Sequence, residues 1–336
     1  MQLEIKKYSL PLRHTFRISR ESRNFQDTMI ISLSLNGKTG YGEATSSAYY
    51  RINFEEMEQE IELLRDSITS FPFTTPEVFY GFLTQTSLNS FARCALDLAA
   101  HDLYGKLLEK PLYAIWGNSI HHYPISNYTI GIDTIDKMIA RIKEKPWPIY
   151  KIKLGTANDL QIIKQLRIQT DSIFRVDANG AWTPEETLKN AQILKNLNVE
   201  FIEQPLKADN WAGMALIKQE CVLPVMADES CILETDVERC APYYDGINIK
   251  LTKCGGLTPA LRMIKKARIL GLKVMVGCMT ESTVGISAIA QLLPQLDYVD
   301  MDGAMLLKKD IAKGVQLLDH GKVLFPKLGG CGVQLL

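Results

Sequence analysis

The stretches RVDANG (175–180), FIEQP (201–205) and MADES (226–230) decide the fold. Each runs a short apolar segment into a carboxylate: Asp177, Glu203 and Asp228. The intervals between these acids are 26 and 25 residues. A strand of ~5–6 residues, a helix of ~11–12 and short loops fill such an interval. Three acids in that register predict three neighbouring parallel strands that end on one rim. A lone acid after a strand usually meets solvent or caps a helix; three in step need a common reason.

Outward from these three, the same rhythm continues in both directions. Short apolar strand patterns fall at 127–132, 149–154, 174–178, 200–203, 224–227, 246–251, 273–277 and 298–302. Helical patterns lie between them, for example PEETLKNAQILKNL, with Thr183 as N-cap and Pro184 in the first turn. Eight alternating β and α units predict a modified TIM (β/α) barrel over residues 116–310. An open doubly wound sheet is disfavoured, since no GxGxxG follows a first strand.

Residues 1–115 read differently, as an α+β capping domain. Strand-like runs flank Asn36-Gly37, a strong hairpin signal. The helical period begins at Phe54, with apolar Met57, Ile61, Leu64 and Ile68 in one helix. Thr75 and Pro76 open a second helix, and SFARCALDLAAHDLYGKLL forms a third that is buried on more than one face. On it, Asp97 and Asp102 are expected to bond neighbouring groups. The connection over 11–27 is long and polar, with Arg13, His14, Arg17, Arg20, Glu21 and Arg23. It and SSAYYRIN (46–53) read as irregular loops, each either functional, such as a lid, or a solvated surface loop. The tail, 311–336, is expected to pack back on the cap.

Composition narrows the function classes. The 336 residues carry 38 basic and 38 acidic side chains, which gives no support for a nucleic-acid or membrane-surface partner. Seven cysteines occur without a CxxC pair, so reduced thiols are expected rather than a zinc site or disulfide framework. The first residues alternate and carry charge, unlike a signal peptide, and no apolar run is long enough to span a membrane. A cytoplasmic protein is the expectation. Barrels of this class commonly associate, so a homo-oligomer is compatible, but no interface is legible.

The chemistry follows from strand ends. Lys151 and Lys153 lie two apart in YKIKL and face the same side, into the barrel mouth. Lys250 ends a later strand, and Asp300 and Asp302 end the last, again two apart. Asp177, Glu203 and Asp228 cannot all stay ionised side by side without a cation. Hard oxygen ligands without His or Cys point to Mg²⁺. Asn179, Glu229 and Ser230 are candidates to orient those ligands. Lys153 and Lys250 flank the metal from opposite sides. Beside a divalent cation and each other, their pKa values are expected to be lowered, as a general base requires. Two bases facing each other across a metal-held carboxylate allow removal of an α-proton from one face and its return to the other. Mg²⁺ would stabilise the enediolate between.

Together KIK (151–153), DAN (177–179), EQP (203–205), ADES (227–230), NIKLTKCGG (248–256) and DMD (300–302) resemble the enolase superfamily, muconate-lactonising-enzyme subgroup. GYGEA and PLYAIWG resemble that family's cap segments. Within it, the DMD pair resembles the dipeptide epimerases. The resemblance implies a Mg²⁺ site at Asp177, Glu203 and Asp228, and acid/base roles for Lys153 and Lys250. It implies a substrate-carboxylate contact for Lys151, a receptor for the dipeptide's α-ammonium at Asp300 and Asp302, and a pocket lined by Thr129, Cys278, Met279 and Thr280. L-Ala-D/L-Glu is the leading dipeptide, in a context of peptidoglycan recycling. An Arg of the lid would bind the Glu side chain, whereas an inward Glu21 would favour a cationic one. Two departures from the family pattern, Gly303–Ala304 after DMD and Ala181 in DANGAW, touch no expected ligand. An o-succinylbenzoate synthase or muconate cycloisomerase is the alternative on the same scaffold, but its substrate gives Asp300 and Asp302 nothing to bind. A non-catalytic metal- or acid-binding barrel is the alternative from another class, and it would dispense with Lys153 or Lys250.

Overall fold

The computed structural model describes residues 1–18 and 21–336. The chain opens with three antiparallel strands, β1 (Gln2–Arg17), β2 (Ser22–Leu35) and β3 (Lys38–Thr45). Asn36 and Gly37, with φ of 51° and 75°, make the tight turn between β2 and β3, as the Asn-Gly signal predicts.

The 11–27 connection departs from its expectation. It is a β-ribbon, not an irregular loop: Phe16 pairs with Arg23 and Arg17 with Ser22. Between Pro11 and Phe16, four residues of β1 stand opposite one of β2. Such an excess bends a ribbon. The bent end docks on the barrel through Lys308 N–H to Pro11 O (2.7 Å), Arg13 Nε to Met305 O (3.1 Å) and Ile132 N–H to Arg17 O (2.9 Å). The backbone pairs with itself here while Arg13, His14, Thr15 and Arg17 face solvent, so no alternating apolar face betrays the strands. Arg20 lies outside the described residues.

Helices complete the cap. Asn53 caps Phe54–Leu63 and Thr75 caps Pro76–Leu83. The helix expected to run through Ile68 breaks at Leu64, and Arg65–Ser70 follows as a separate turn and a half. Ser90–Leu107 lies directly on β3. Gly40 and Gly42 permit the approach, because a Cβ on either would overlap the backbone of Ala99 or Ala95. Met29, Ile31 and Leu33 of β2 pack under that helix against Leu96, Ala99 and Leu103. Asp97 accepts from Thr258 N–H (2.9 Å) and Oγ1 (2.7 Å), and Asp102 from Tyr41 N–H (2.9 Å), so both serve structure, as expected.

Eight parallel strands follow: β4 (Tyr128–Ile130), β5 (Ile149–Lys153), β6 (Ile173–Asp177), β7 (Val199–Glu203), β8 (Val225–Ala227), β9 (Gly246–Ile249), β10 (Lys273–Gly277) and β11 (Tyr298–Asp300). They hydrogen-bond in chain order, and a parallel bridge between Ser126 and Val299 brings the first strand back to the last. A helix separates each pair of neighbours, from Ile135–Glu144 to Thr283–Leu292; directly after β11 a short 3₁₀ turn, Gly303–Leu306, takes the place of a helix. Apolar residues between strands and helices build two large clusters outside the barrel. Inside, Phe201, Met226, Met275 and Tyr298 plug the base. The Arg175 guanidinium lies 5.3 Å from the Phe201 ring and 5.0 Å from the Tyr298 ring, and pairs with Glu200 at 2.7 Å. One pleat above that plug, the alternation puts charged residues at the rim.

In the tail, Ala312–Lys313 pairs with Gln334–Leu335. Cys331 N–H donates to Asp102 (2.7 Å) and Lys106 Nζ to Val333 O (2.8 Å), which ties the end of the chain to the cap's long helix. No helix among the described residues is long and apolar enough to cross a membrane.

Candidate active site at the barrel mouth

Asp177, Glu203 and Asp228 end β6, follow on β7 and leave β8, and their carboxylate oxygens come within 4.8 Å of one another. All three are buried. Lys153 Nζ lies 2.6 Å from Asp177 Oδ2 on one side, and Lys250 Nζ 2.9 Å from Asp228 Oδ2 on the other. Their strands, β5 and β9, are four apart in a ring of eight, so the two ammonium groups face each other across the acids. Lys151, 1% exposed, touches Glu203 Oε2 (2.7 Å), Asp300 Oδ2 (2.9 Å) and Asp177 Oδ2 (3.2 Å).

These contacts set the charges. Burial would raise Asp228, yet Lys250, Lys253 and Lys151 hold it well below the usual carboxylate range. Burial is likewise outweighed at Asp177, by Lys153 and Lys151. At Glu203 burial wins, and neighbouring Asp177 adds to it, so this carboxyl is pushed up. Burial lowers Lys250, but Asp228 at 2.9 Å more than reverses it, and beside the bare acids the ammonium is raised; the lowering expected of a base is one beside a divalent cation that shares the charge of Asp228. Lys151 is raised in the same way by Asp300 and Glu203.

The donor set fits a hard divalent cation. Three carboxylates converge, and Glu203 Oε2 is buried without an aligned hydrogen bond, although Lys151 Nζ is 2.7 Å away as an ion pair. The buried Oδ1 atoms of Asn179 and Asn248 also lack partners. Asn179 holds Asp177 Oδ1 through its own N–H (2.9 Å), from a left-handed backbone (φ 47°). Its side chain reaches Glu229 at 3.4 Å. Ser230 hydrogen-bonds Gln204 at 2.9 Å.

Asp300 and Asp302 sit beside Cys278 on the opposite wall, all within 4.8 Å. Asn127 Nδ2 donates to Asp300 (2.7 Å), and Thr129 donates to Asp302 through N–H (2.6 Å) and Oγ1 (3.1 Å). Burial and then Lys151 and Lys153 act on Asp300, and the lysines prevail, so it stays ionised well below the usual range. Burial and the charge of Asp300 push Asp302 well above it. Thr129, Lys151, Lys153, Lys250, Cys278, Met279, Thr280, Asp300 and Asp302 all line one cavity. Phe16, Ile18, Glu21 and Arg23 of the ribbon and Tyr49 and Tyr50 of the second loop cover it. Arg23 pairs with Glu21 at 3.2 Å, and its buried Nε has no acceptor.

Several residues escaped the reading of the strand ends. Lys253 is the most consequential: its Nζ meets Asp228 Oδ1 (2.6 Å) and the carbonyls of Asp228 (2.6 Å) and Cys231 (3.0 Å). It stands on the four-residue helix Leu251–Cys254, off the strand alternation. Gln204, inside EQP, accepts from the N–H groups of Asp228 (3.0 Å) and Ser230 (3.1 Å) and so fixes the third acid. Asn248 donates to Glu203 (2.7 Å) and is two residues before Lys250, where the same alternation could have found it. Gly277 leaves it room, since a Cβ there would meet the Asn248 amide at 2.6 Å.

Known proteins share both sequence and shape. Residues 2–117 match the mandelate racemase / muconate lactonizing enzyme N-terminal domain, and 133–336 the enolase C-terminal domain-like family. An L-Ala-D/L-amino acid epimerase of a Maribacter species is 68% identical over 335 residues, covering 100% of this chain and 99% of that protein. One of the same name from Flavobacterium johnsoniae is 54% identical, covering 100% of both. The crystal structure of the dipeptide epimerase from Cytophaga hutchinsonii, complexed with Mg and D-Ala-L-Val, superposes with a TM-score of 0.92 at 27% identity, covering 100% of this chain and 96% of that one. With both of its parts matched and its acids and lysines set on the barrel rim, this chain belongs to the enolase superfamily, in the mandelate racemase / muconate lactonizing enzyme group.

Proposed function

We propose that the chain is a Mg²⁺-dependent dipeptide epimerase that inverts the α-carbon of the second residue by 1,1-proton transfer between two bases. The observation that carries this reading is the placement of Lys153 and Lys250 on opposite sides of the Asp177–Glu203–Asp228 cluster, with an acidic pair on the wall opposite the cluster. Asp177, Glu203 and Asp228 hold the cation. When bound, Mg²⁺ supplies the positive charge that lets a proton beside a carboxylate become acidic. Lys151 sits among Asp177, Glu203 and Asp300 and orients the substrate's carboxylate end. One of Lys153 and Lys250 takes the α-proton, and the other returns a proton to the opposite face. Asp300 and Asp302 receive the α-ammonium; a cation there relieves the repulsion that pushes Asp302 up. Thr129, Cys278, Met279 and Thr280 enclose the first residue.

L-Ala is the favoured first residue. L-Ala-D/L-Glu belongs to the substrate set, but the relatives' name, L-Ala-D/L-amino acid epimerase, supports a wider choice at the second position. The Glu21–Arg23 pair supports the same: it presents neither a free anion nor a free cation to the second side chain. We assign residues 1–115 to the cap, 116–310 to the barrel and 311–336 to a tail that returns to the cap. A cytoplasmic setting and a part in peptidoglycan peptide recycling fit seven free thiols and an L-Ala dipeptide.

The test is incubation with Mg²⁺ and a panel of L-Ala-L-Xaa dipeptides in D₂O, followed by NMR of the second residue's α-proton. Exchange accompanied by a new diastereomer is expected, Glu included. A panel in which nothing exchanges would defeat the epimerase reading.

A further inference from the structure

The GYGEA stretch (40–44) takes no part in the proton transfer, yet its Glu43 is completely buried. Glu43 Oε1 accepts from Thr28 Oγ1 (2.7 Å) inside the cap and from Ser282 N–H (2.9 Å) in the barrel. Its Oε2 accepts from Ser282 Oγ (2.6 Å) and Gly285 N–H (2.9 Å). Ser282 is the N-cap of the helix Thr283–Leu292, and Gly285 lies in its first turn. The cap thus lends a carboxylate to the N-terminus of a barrel helix, where N–H groups lack partners and the helix dipole favours an anion.

Both ends of this joint lead into the cavity. Two residues along β3 from Glu43, the cap wall begins at Thr45 and continues through Ser46, Ser47 and Tyr50. Just before Ser282, the barrel wall is Cys278, Met279 and Thr280. Glu281 braces that second wall. It is buried, accepts from Met279 N–H (2.7 Å), and lies so close to Gly285 that a Cβ there would overlap its Oε2. Burial and then the charge of Glu43 push Glu281 up to about 8. Burial raises Glu43 too, but the donors from Ser282, Thr28 and Gly285 oppose it. Of the two acids, Glu43 is the one whose oxygens meet donors on both sides of the seam.

We propose that Glu43 is a positioning residue that locks the cap wall of the cavity to its barrel wall, and so sets how tightly the dipeptide is held without acting on the proton transfer. The inference rests on the epimerase reading, and the wild-type chain keeps the two apart. If wild type turns over no dipeptide, the epimerase reading has failed; if it does, the Glu43 variants judge this one.

The experiment is steady-state kinetics of Glu43→Gln, Ser282→Ala and Thr28→Val with the L-Ala dipeptide that wild type turns over fastest, alongside thermal melts. Glu43→Gln keeps the shape but gives up one acceptor. It is expected to raise KM about tenfold, the loss of roughly 1.4 kcal/mol of binding, with kcat within about twofold, as uniform binding loss requires. Ser282→Ala, which keeps both N–H bonds, is expected to raise KM a few-fold, and it serves if Glu43→Gln does not fold. Thr28→Val removes a contact wholly inside the cap and is expected to lower Tm while leaving KM alone. A merely structural Glu43 would lower Tm and leave KM at the wild-type value. That result, or a fall in kcat at constant KM, would overturn the proposal.

Discussion

At the barrel mouth Lys151 alone touches three carboxylates, at 2.7, 2.9 and 3.2 Å. On the ribbon above it, Arg23 meets a single one, Glu21 at 3.2 Å, and leaves its Nε without an acceptor. The mouth is carried by eight strands that hydrogen-bond around a ring. The ribbon is two strands with a register break, held to the barrel by a few backbone contacts. Where buried charges interlock, as Lys151 does with three acids and Asp228 with Lys250 and Lys253, geometry is over-determined, and the proposed proton transfer needs that. Where one ion pair lies at a partly exposed surface, either partner can be changed at little cost. On the proposed reading, the mouth fixes the reaction and the ribbon leaves room for the second side chain to vary.

The largest effect should come from the two facing lysines. Lys153→Ala and Lys250→Ala are each expected to lower epimerisation by about 10²–10⁴-fold, the range for losing a general acid or base. Turnover of the L-Ala dipeptide measures it. A variant with full activity would dissolve the contrast, because the mouth would then tolerate loss as the ribbon does.

A second comparison lies within the mouth itself. Asp228 compensates both Lys250 and Lys253, whereas Glu203 is already pushed up by burial. Asp228→Asn strands two buried ammonium groups and is expected to cost about 3–5 kcal/mol of stability. Glu203→Gln loses one of three carboxylates at Lys151 but leaves that ammonium Asp300 and Asp177, and is expected to cost less, about 1–3 kcal/mol. Both should weaken Mg²⁺ binding in calorimetry. Urea melts without metal separate them, and equal losses would show that the lysines do not depend on Asp228.

How far these regions can be read from sequence follows the same division. Asp177, Glu203, Asp228, Lys151, Lys153, Asp300 and Asp302 stand on or just beyond strand ends, where a 25-residue interval and a two-residue alternation reveal them. Lys253 reaches the same acid from a short helix, and no period announces it. The ribbon escaped because its strands satisfy one another's backbone with charged side chains outward, leaving no apolar face to alternate. Glu43 escaped because its partner Ser282 lies 239 residues away. The carboxylate that meets the Lys250 ammonium was hidden for a related reason. A strand pattern shows which groups share a rim, but only coordinates reveal that Asp228 is 2.9 Å from that ammonium.

On the far wall, Asp302→Asn is expected to raise KM for the dipeptide by about 10–100-fold, the value of a charge-assisted hydrogen bond of roughly 1.5–3 kcal/mol. An N-acetylated dipeptide, which has no ammonium, should bind poorly to wild type and be little affected by the substitution. Equal sensitivity of both compounds would remove the ammonium role and leave Asp302 as a partner of Thr129 alone.

The ribbon should give the smallest change, and one with a sign. Glu21 and Arg23 neutralise each other over the cavity. Glu21→Ala releases the guanidinium, so an acidic second residue gains and a basic one loses. Arg23→Ala does the reverse. Both side chains are about a quarter exposed, 27% and 25%, so solvent screens the pair and each swing is about 1 kcal/mol or less. That is at most about a fivefold change in the ratio of kcat/KM for L-Ala-L-Glu over L-Ala-L-Lys. The kcat for each dipeptide should stay near wild type, because neither side chain is hydrogen-bonded to the lysines or acids of the mouth. Ratios that move in opposite directions for the two variants would place the second side chain beneath this pair. Ratios that do not move would assign its recognition to Tyr49 and Tyr50, which border the same cavity and carry no charge to trade.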